Sequence, residues 1–311
     1  MLNIQENVLL APLTTFKIGG PARYFAVASS EEELKDLLKW AREKNLQIFV
    51  FGGGSNILIS DKGFNGLVIK ISASAKASAD RRNSQISAEA GVLSSKILAE
   101  SINSGLTGIE WLAGIPGTIG GAVANNAGAY GKDMSTVVEK IKVLEIATLE
   151  TKEMSNEDCR FEYRESVFKN NSDYIIISVV LNLKKGNPEE GRELLKNYLK
   201  NRIYKESGRS AGCFFKNVSW QELDKESMLK NFPELKKFES LPRVGVGHLI
   251  DFLALKGKSV GGATVSFEHA SYIVNKENAK AEDVIQLANL IKEKIKERYG
   301  IILENEVEVI G

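Results

Sequence analysis

The chain has 311 residues, a formal net charge of +1, and 43% hydrophobic and 26% charged residues. Near-neutrality excludes the concentrated basic excess of a nucleic-acid surface, and the length calls for more than one hydrophobic core. No stretch has the apolar length that spans a bilayer, and the start lacks a secretory leader pattern, so a cytoplasmic protein without a membrane partner is expected.

In chain order, Ala22 to Ala28 reads as a strand. Ser30 with Glu33 makes a capping box for a helix whose Leu34, Leu37, Leu38 and Ala41 share one face. The apolar run 47–51 leads into Phe51-Gly-Gly-Gly-Ser-Asn-Ile-Leu58, and Leu67 to Ile71 is another β-branched strand. Residues 1–72 thus predict a small α/β unit. The Ala-, Ser- and Arg-rich stretch 73–84 lacks periodicity and reads as an exposed loop or boundary.

A second unit over 73–200 follows, with a strand near 85–90 and a helix near 94–104 closed by Gly105. Then come the dense stretch Trp111 to Gly131 and strands over 137–147 and 174–183. The last of these is apolar enough to be central in its sheet. Asn187-Pro188 opens a helix to about residue 203. A third unit over 201–300 holds Ser210 to Asn217, a helix near 246–255, a strand pair within 262–275 and a long helix 281–299 stopped by Gly300. Ile301 to Ile310 reads as a terminal strand that returns near the first unit. The expected class is α+β, with two small α/β domains and a third α+β domain.

Gly52, Gly53 and Gly54 carry no side chains to block a ligand, and their free dihedrals let successive N–H groups turn toward one anion. The segment is neither a Walker A loop nor Gly-x-Gly-x-x-Gly, and alone it is equally a tight turn. A second glycine-rich segment, Gly114-Ile-Pro-Gly-Thr-Ile-Gly-Gly-Ala122 with Asn125 to Gly128, lies about sixty residues further on. Its small residues permit a tightly packed helix whose N-terminus can face an anion. Two such segments point to one extended dinucleotide held between two small domains.

Two cysteines, Cys159 and Cys213, are far apart without Cys-x-x-Cys, and His248 and His269 are the only histidines. No metal site is expected. Residues 1–158 contain neither His nor Cys, so a dinucleotide cofactor held by the two glycine segments would be bound non-covalently.

Thr15-Phe-Lys-Ile-Gly-Gly-Pro21, both glycine segments, Tyr163-Arg-Glu-Ser166, Ser210-Ala-Gly-Cys-Phe-Phe-Lys-Asn217, Leu255-Lys-Gly257 with Gly261-Gly-Ala263, and Leu303-Glu-Asn-Glu-Val307 occur in that order. Together they resemble the UDP-N-acetylenolpyruvoylglucosamine reductase (MurB) family, in its shorter subclass, over essentially the whole chain. The first three motifs indicate only the vanillyl-alcohol-oxidase type of FAD-binding fold. The last four narrow the resemblance to the reductase.

The resemblance implies bound FAD, reduced by NADPH, that passes hydride to the enolpyruvyl ether of a UDP-sugar in bacterial peptidoglycan precursor synthesis. It implies FAD contacts from Gly52, Gly53, Gly54, Ser55, Asn56, Gly114, Pro116, Gly117, Thr118, Gly120, Gly121 and Ala122. Arg164 matches the catalytic arginine and Glu306, not Glu304, the catalytic glutamate. Cys213 stands where the family usually has serine, and as the more acidic group it remains the proton donor. Asn217 and Lys256 match substrate-contacting positions. A satisfied structural role suits His269 better, Cys159 reads as a packing residue, and His248 has no assigned role. The implied protein is a monomer whose partners are the UDP-sugar and NADPH. The rivals are a sugar or alcohol oxidase of the same flavin fold, which has no need of Arg164, Cys213 and Glu306 as a set, and a non-catalytic flavin-binding module.

Overall fold

The computed structural model describes residues 2–72, 76–169, 173–203 and 208–311. They form two compact units that alternate along the chain. The first comprises Met1–Val8, Ala22–Gly54 and Phe64–Tyr204, and the second Leu9–Pro21, Ser55–Gly63 and Lys205–Gly311.

In the first unit, one sheet has the order Gln5–Leu9, Pro21–Ala28, Phe64–Ile71, Gln47–Phe51, its last three strands mutually parallel. Parallel neighbours need a crossover, supplied by the helix Glu31–Glu43. The Ser30 hydroxyl accepts from Glu33 N, satisfying one orphan donor of the first turn, and the Glu33 carboxylate reaches back to accept from Ser29 N at 2.9 Å. Leu34, Leu37, Leu38 and Ala41 pack on Ala26, Ala28, Leu67 and Ile69. Burying each leucine contributes about 1.5–3 kcal/mol.

The other sheet is antiparallel, in the order Thr151–Ser155, Val138–Glu145, Tyr174–Asn182, Gln85–Glu89, Ala77–Asp80. Tyr174–Asn182 is central, as its apolar run requires. The expected loop over 73–84 is corrected: Ala77–Asp80 is an edge strand, and Asp80 Oδ1 accepts from Arg82 N and Asn83 N to close the turn. Residues 73–75 lie outside the described set. Helix Ser94–Asn103 ends at Gly105, φ +65°. Asn187 opens helix Pro188–Ile203 by accepting from Glu189 N at 2.8 Å.

The second unit is organised round helix Ala281–Tyr299, which buries Val284, Leu287, Ala288, Ile291 and Ile295 and stops at Gly300, φ +70°. Its first N–H groups, on Ala281 and Glu282, donate to the Asp61 carboxylate. Phe16, Ile18 and Leu58 share its core with Phe214, Phe215 and Leu249. Three short strands, Ser259–Val260, Ala263–Val265 and Ile273–Asn275, form an antiparallel sheet. The terminal strand is also corrected, because only Glu308–Ile310 is regular, pairing in parallel with Ile57–Ile59. Upstream of it Glu306 N and Val307 N both donate to the Phe214 carbonyl, at 2.8 and 3.4 Å. Two residues facing one is the geometry of a bulge, which interrupts the ladder.

Candidate active site

The two glycine segments meet within the first unit. A Cβ on Gly52 would stand 2.3 Å from the Thr118 hydroxyl, and one on Gly53 would stand 2.7 Å from Gly117 Cα. The segments therefore adjoin closely, and only glycine allows the approach. Gly54, Gly114 and Gly117 have φ of +63°, +72° and +113°, which turn successive peptide groups within a few residues.

Thr118 caps helix Ile119–Ala124, its hydroxyl accepting from Gly121 N. The expectation that this helix end faces an anion needs correction. Ile119 N and Gly120 N donate to the carbonyls of Val92 and Ala90 at 2.8 and 2.9 Å, so two of the first donors are used internally. Gly120 is a packing requirement as well, since a Cβ there would stand 2.7 Å from Ala90 Cβ. Upstream, the buried Glu110 accepts from Thr107 Oγ1 at 2.6 Å and from Gly108 N at 3.0 Å, and Trp111 Nε1 donates to the Gly108 carbonyl. This buried carboxylate fixes the approach to the second glycine segment, a role that sequence reading missed because a lone glutamate carries no periodic signal.

Tyr163 and Arg164 form the tip of a tight turn closed by reciprocal Glu162 and Glu165 backbone hydrogen bonds of 3.1 Å. Arg164 is left-handed, φ +59°. Its guanidinium donates to the carbonyls of Gly128 at 2.8 Å and Asn126 at 3.4 Å. Ser166 Oγ donates to the Ala124 carbonyl and Asn126 Nδ2 to the Glu162 carbonyl. Four side-chain bonds thus fasten the arginine turn to 124–128, the end of the second glycine segment. Asn126, 2% exposed and also accepting from Ser135 N, is a further residue that sequence reading quoted without a role.

In the second unit the segment 213–216 lies between two others. On one side Cys213 pairs with Tyr272, and Phe214 N donates to the Ser271 carbonyl. On the other side Phe215 pairs with Asn305, and Glu306 N donates to the Phe214 carbonyl. Cys213 and Glu306 are therefore brought onto adjacent backbone segments, both half-buried. Directly opposed cross-strand residues have neighbouring Cβ atoms, so Tyr272 flanks Cys213. Its ring meets His269 at 4.6 Å between centroids. Glu304 is largely exposed and pairs with Lys216 at 3.0 Å, which separates it from Glu306.

Asn56 Nδ2 donates to the Glu306 carbonyl at 3.0 Å. Asn217 Oδ1 accepts from Val246 N, so it caps helix Val246–Phe252 where Gly245 has no side chain to do so. Lys256 pairs with Asp251 at 3.0 Å. Burial pushes the Cys159 thiol up to about 12, as suits an inert packing residue. Burial also lowers His248, assisted by Lys237 and Lys256 and opposed by Asp251. Among the described residues no group of three or more His, Cys, Asp or Glu could hold a metal ion, and no helix is long and apolar enough to cross a membrane.

Residues 22–152 match the family model described as FAD binding domain, and residues 203–310 match the C-terminal domain of UDP-N-acetylenolpyruvoylglucosamine reductase. A mixed α/β chain with both domains defines an FAD-dependent oxidoreductase of peptidoglycan precursor synthesis. UDP-N-acetylenolpyruvoylglucosamine reductase of Caldanaerobacter subterraneus subsp. tengcongensis is 35% identical over 299 residues, 96% of this chain and 90% of that protein. The reductase of Prochlorococcus marinus is 34% identical over 310 residues, 100% of this chain and 99% of that one. The crystal structure of UDP-N-acetylenolpyruvylglucosamine reductase (MurB) from Thermus caldophilus superposes with a TM-score of 0.78 at 30% identity, covering 100% of both chains. The chain belongs to the UDP-N-acetylenolpyruvoylglucosamine reductase family.

Proposed function

We propose that this protein uses NADPH to reduce the enolpyruvyl ether of UDP-N-acetylglucosamine enolpyruvate, giving UDP-N-acetylmuramate, and that it works as a monomer in the bacterial cytoplasm. The observation that carries the reading is the pairing of segment 213–216 with 304–306, which brings a thiol and a carboxyl group onto adjacent backbone segments. The full-length likeness to the named reductases supports the substrate.

The residues fit a non-covalent FAD. Gly52 packs against the Thr118 side chain and Gly53 against the Gly117 main chain, so the two glycine segments bring their backbones side by side, an arrangement whose N–H groups suit an extended diphosphate. When bound, FAD supplies the hydride it has taken from NADPH. Gly52, Gly53, Gly54, Ser55, Asn56 and the segment 114–122 would hold it.

Hydride arriving at the terminal alkene carbon drives negative charge onto the substrate carboxylate. Arg164 offers a planar fork of donors for that charge, and a protonated Glu306 a further hydrogen bond. The thiol of Cys213 gives its proton to the adjacent carbon, and the thiolate is reprotonated from solvent. Asn217 and Lys256 bind the UDP-sugar, lysine pairing with the diphosphate.

The test is the anaerobic visible spectrum of the holoprotein. Flavin bands should bleach with NADPH and return with UDP-N-acetylglucosamine enolpyruvate. Return with dioxygen alone would transfer the chain to the oxidase rival, and no bleaching would leave a binding module. Arg164→Lys, Cys213→Ala and Glu306→Gln should each lower kcat by about 100-fold or more, the usual worth of a positioned acid or charge donor. Normal turnover in all three variants would remove these role assignments.

A further inference from the structure

Phe267 in the second unit is 67% exposed, an unusual position for a phenylalanine beside a fully formed core. Its ring is not loose. It lies over Gly257, where a Cβ would stand 2.2 Å from Cζ and 2.6 Å from Cε1. The outer edge of the ring, Cζ with both Cε atoms, is therefore seated on bare main chain.

Both supports are themselves fixed. Gly257 N donates to the Val265 carbonyl and Val265 N to the Lys258 carbonyl, each at 2.9 Å, and Gly257 has φ +74°. On the phenylalanine side, Ser266 Oγ accepts from Glu268 N and His269 N at 3.1 Å, which locks the turn that carries the ring. Lys256 and Lys258 flank Gly257, and Asp251 orients the Lys256 ammonium at 3.0 Å. A rigid aromatic plate beside two lysines matches a ligand that joins a planar base to phosphate.

We propose that Phe267 is the stacking face for the uracil of the nucleotide sugar, with Gly257 kept side-chain-free to seat the ring. This rests on the nucleotide-sugar reading above. It makes Phe267 a specificity residue for the nucleotide half of the substrate, separate from Arg164, Cys213 and Glu306. Stacking on an aromatic plate accepts any base face, and the pre-set ring loses little freedom on binding.

The experiment is calorimetric titration of the FAD-loaded full chain with UDP, UMP and the base-free N-acetylglucosamine 1-phosphate. Phe267→Ala and Phe267→Leu should each weaken UDP and UMP by about tenfold or more, the range of alanine substitution at stacked bases. N-acetylglucosamine 1-phosphate should bind as before, and Phe267→Trp should bind UDP like the parent. Gly257→Ala, which displaces the ring, should copy Phe267→Ala. Unchanged UDP binding in the Ala and Leu variants overturns the inference, as does an equal loss for all three ligands. If the parent protein binds no UDP, the nucleotide-sugar reading itself fails and this inference with it.

Discussion

The side-chain amide of Asn56 donates to the main-chain carbonyl of Glu306 at 3.0 Å, and Glu308 N returns a bond of 3.1 Å to the Asn56 carbonyl. The end of the first glycine motif is thus tied to the backbone of the glutamate proposed as catalytic. Asn56→Ala removes a half-buried donor, worth about 1 kcal/mol, and loosens the position of Glu306. We expect a small fall in melting temperature and a larger fall in kcat, read by thermal melts and steady-state rates on protein matched for flavin content. A kcat equal to that of the parent would show that the bond is only structural.

Gly52 and Gly53 should respond differently to alanine. The Gly52 Cβ would collide with the Thr118 side chain, whereas the Gly53 Cβ would collide with Gly117 main chain. Overpacking of this kind costs about 1–3 kcal/mol. Thr118→Ala should therefore restore much of the stability and flavin content lost in Gly52→Ala, and none of that lost in Gly53→Ala. The readout is flavin-to-protein absorbance ratio with melting temperature, and equal rescue of both variants would contradict the observed packing.

What could be read in advance follows from the range of the interactions. Helices Glu31–Glu43 and Ala281–Tyr299 and the strand Tyr174–Asn182 declare themselves, because their periodicity and caps are local. Gln5–Leu9, Ala77–Asp80 and Thr151–Ser155 are short and lack an apolar β-branched run, so only their partners make them strands. The terminal strand was expected too long because the bulge at Glu306 and Val307 depends on the carbonyl of Phe214, ninety-odd residues away in the chain. For the candidate site, motifs pointed to Arg164, Cys213 and Glu306, the residues proposed to act. Asn126 and Tyr272, which lie against the Arg164 turn and Cys213, do so through contacts with residues distant in the chain that leave no local pattern.

The two thiols should separate by reactivity. Cys159 is fully buried, its Sγ lies 3.1 Å from the Ser155 carbonyl, and its pKa is pushed up to about 12. Almost none is thiolate at pH 8, whereas Cys213 is half-buried. Native protein should therefore react with one equivalent of a disulfide reagent such as DTNB, at Cys213, and with a second only after denaturation. UDP-N-acetylglucosamine enolpyruvate should slow the first reaction. Cys213→Ser leaving a fast-reacting thiol would refute the assignment. The raised pKa also has a stability consequence. Above the unfolded value near 9 the unfolded state loses a proton that the folded state keeps, so stability falls as pH rises toward 12, and Cys159→Ala should lessen that fall.

His248 sets an acid limb of opposite sense. Its ring meets Phe238 edge-on at 5.1 Å, and burial, with Lys237 and Lys256 nearby, lowers its pKa below the ordinary 6.5. The folded state therefore prefers the neutral ring. Its contribution is complete above pH 6.5 and is lost as pH falls through 6.5 toward the depressed folded value, because the unfolded state takes up the proton first. Melting temperatures measured from pH 8 to pH 5 should fall more steeply for the parent than for His248→Gln, which has no proton to take up. Superimposable curves would mean that the imidazole is not perturbed by its neighbours. A steeper fall for the variant would reverse the sign of the shift and place a net favourable anion, with Asp251 as the nearest candidate, beside the ring.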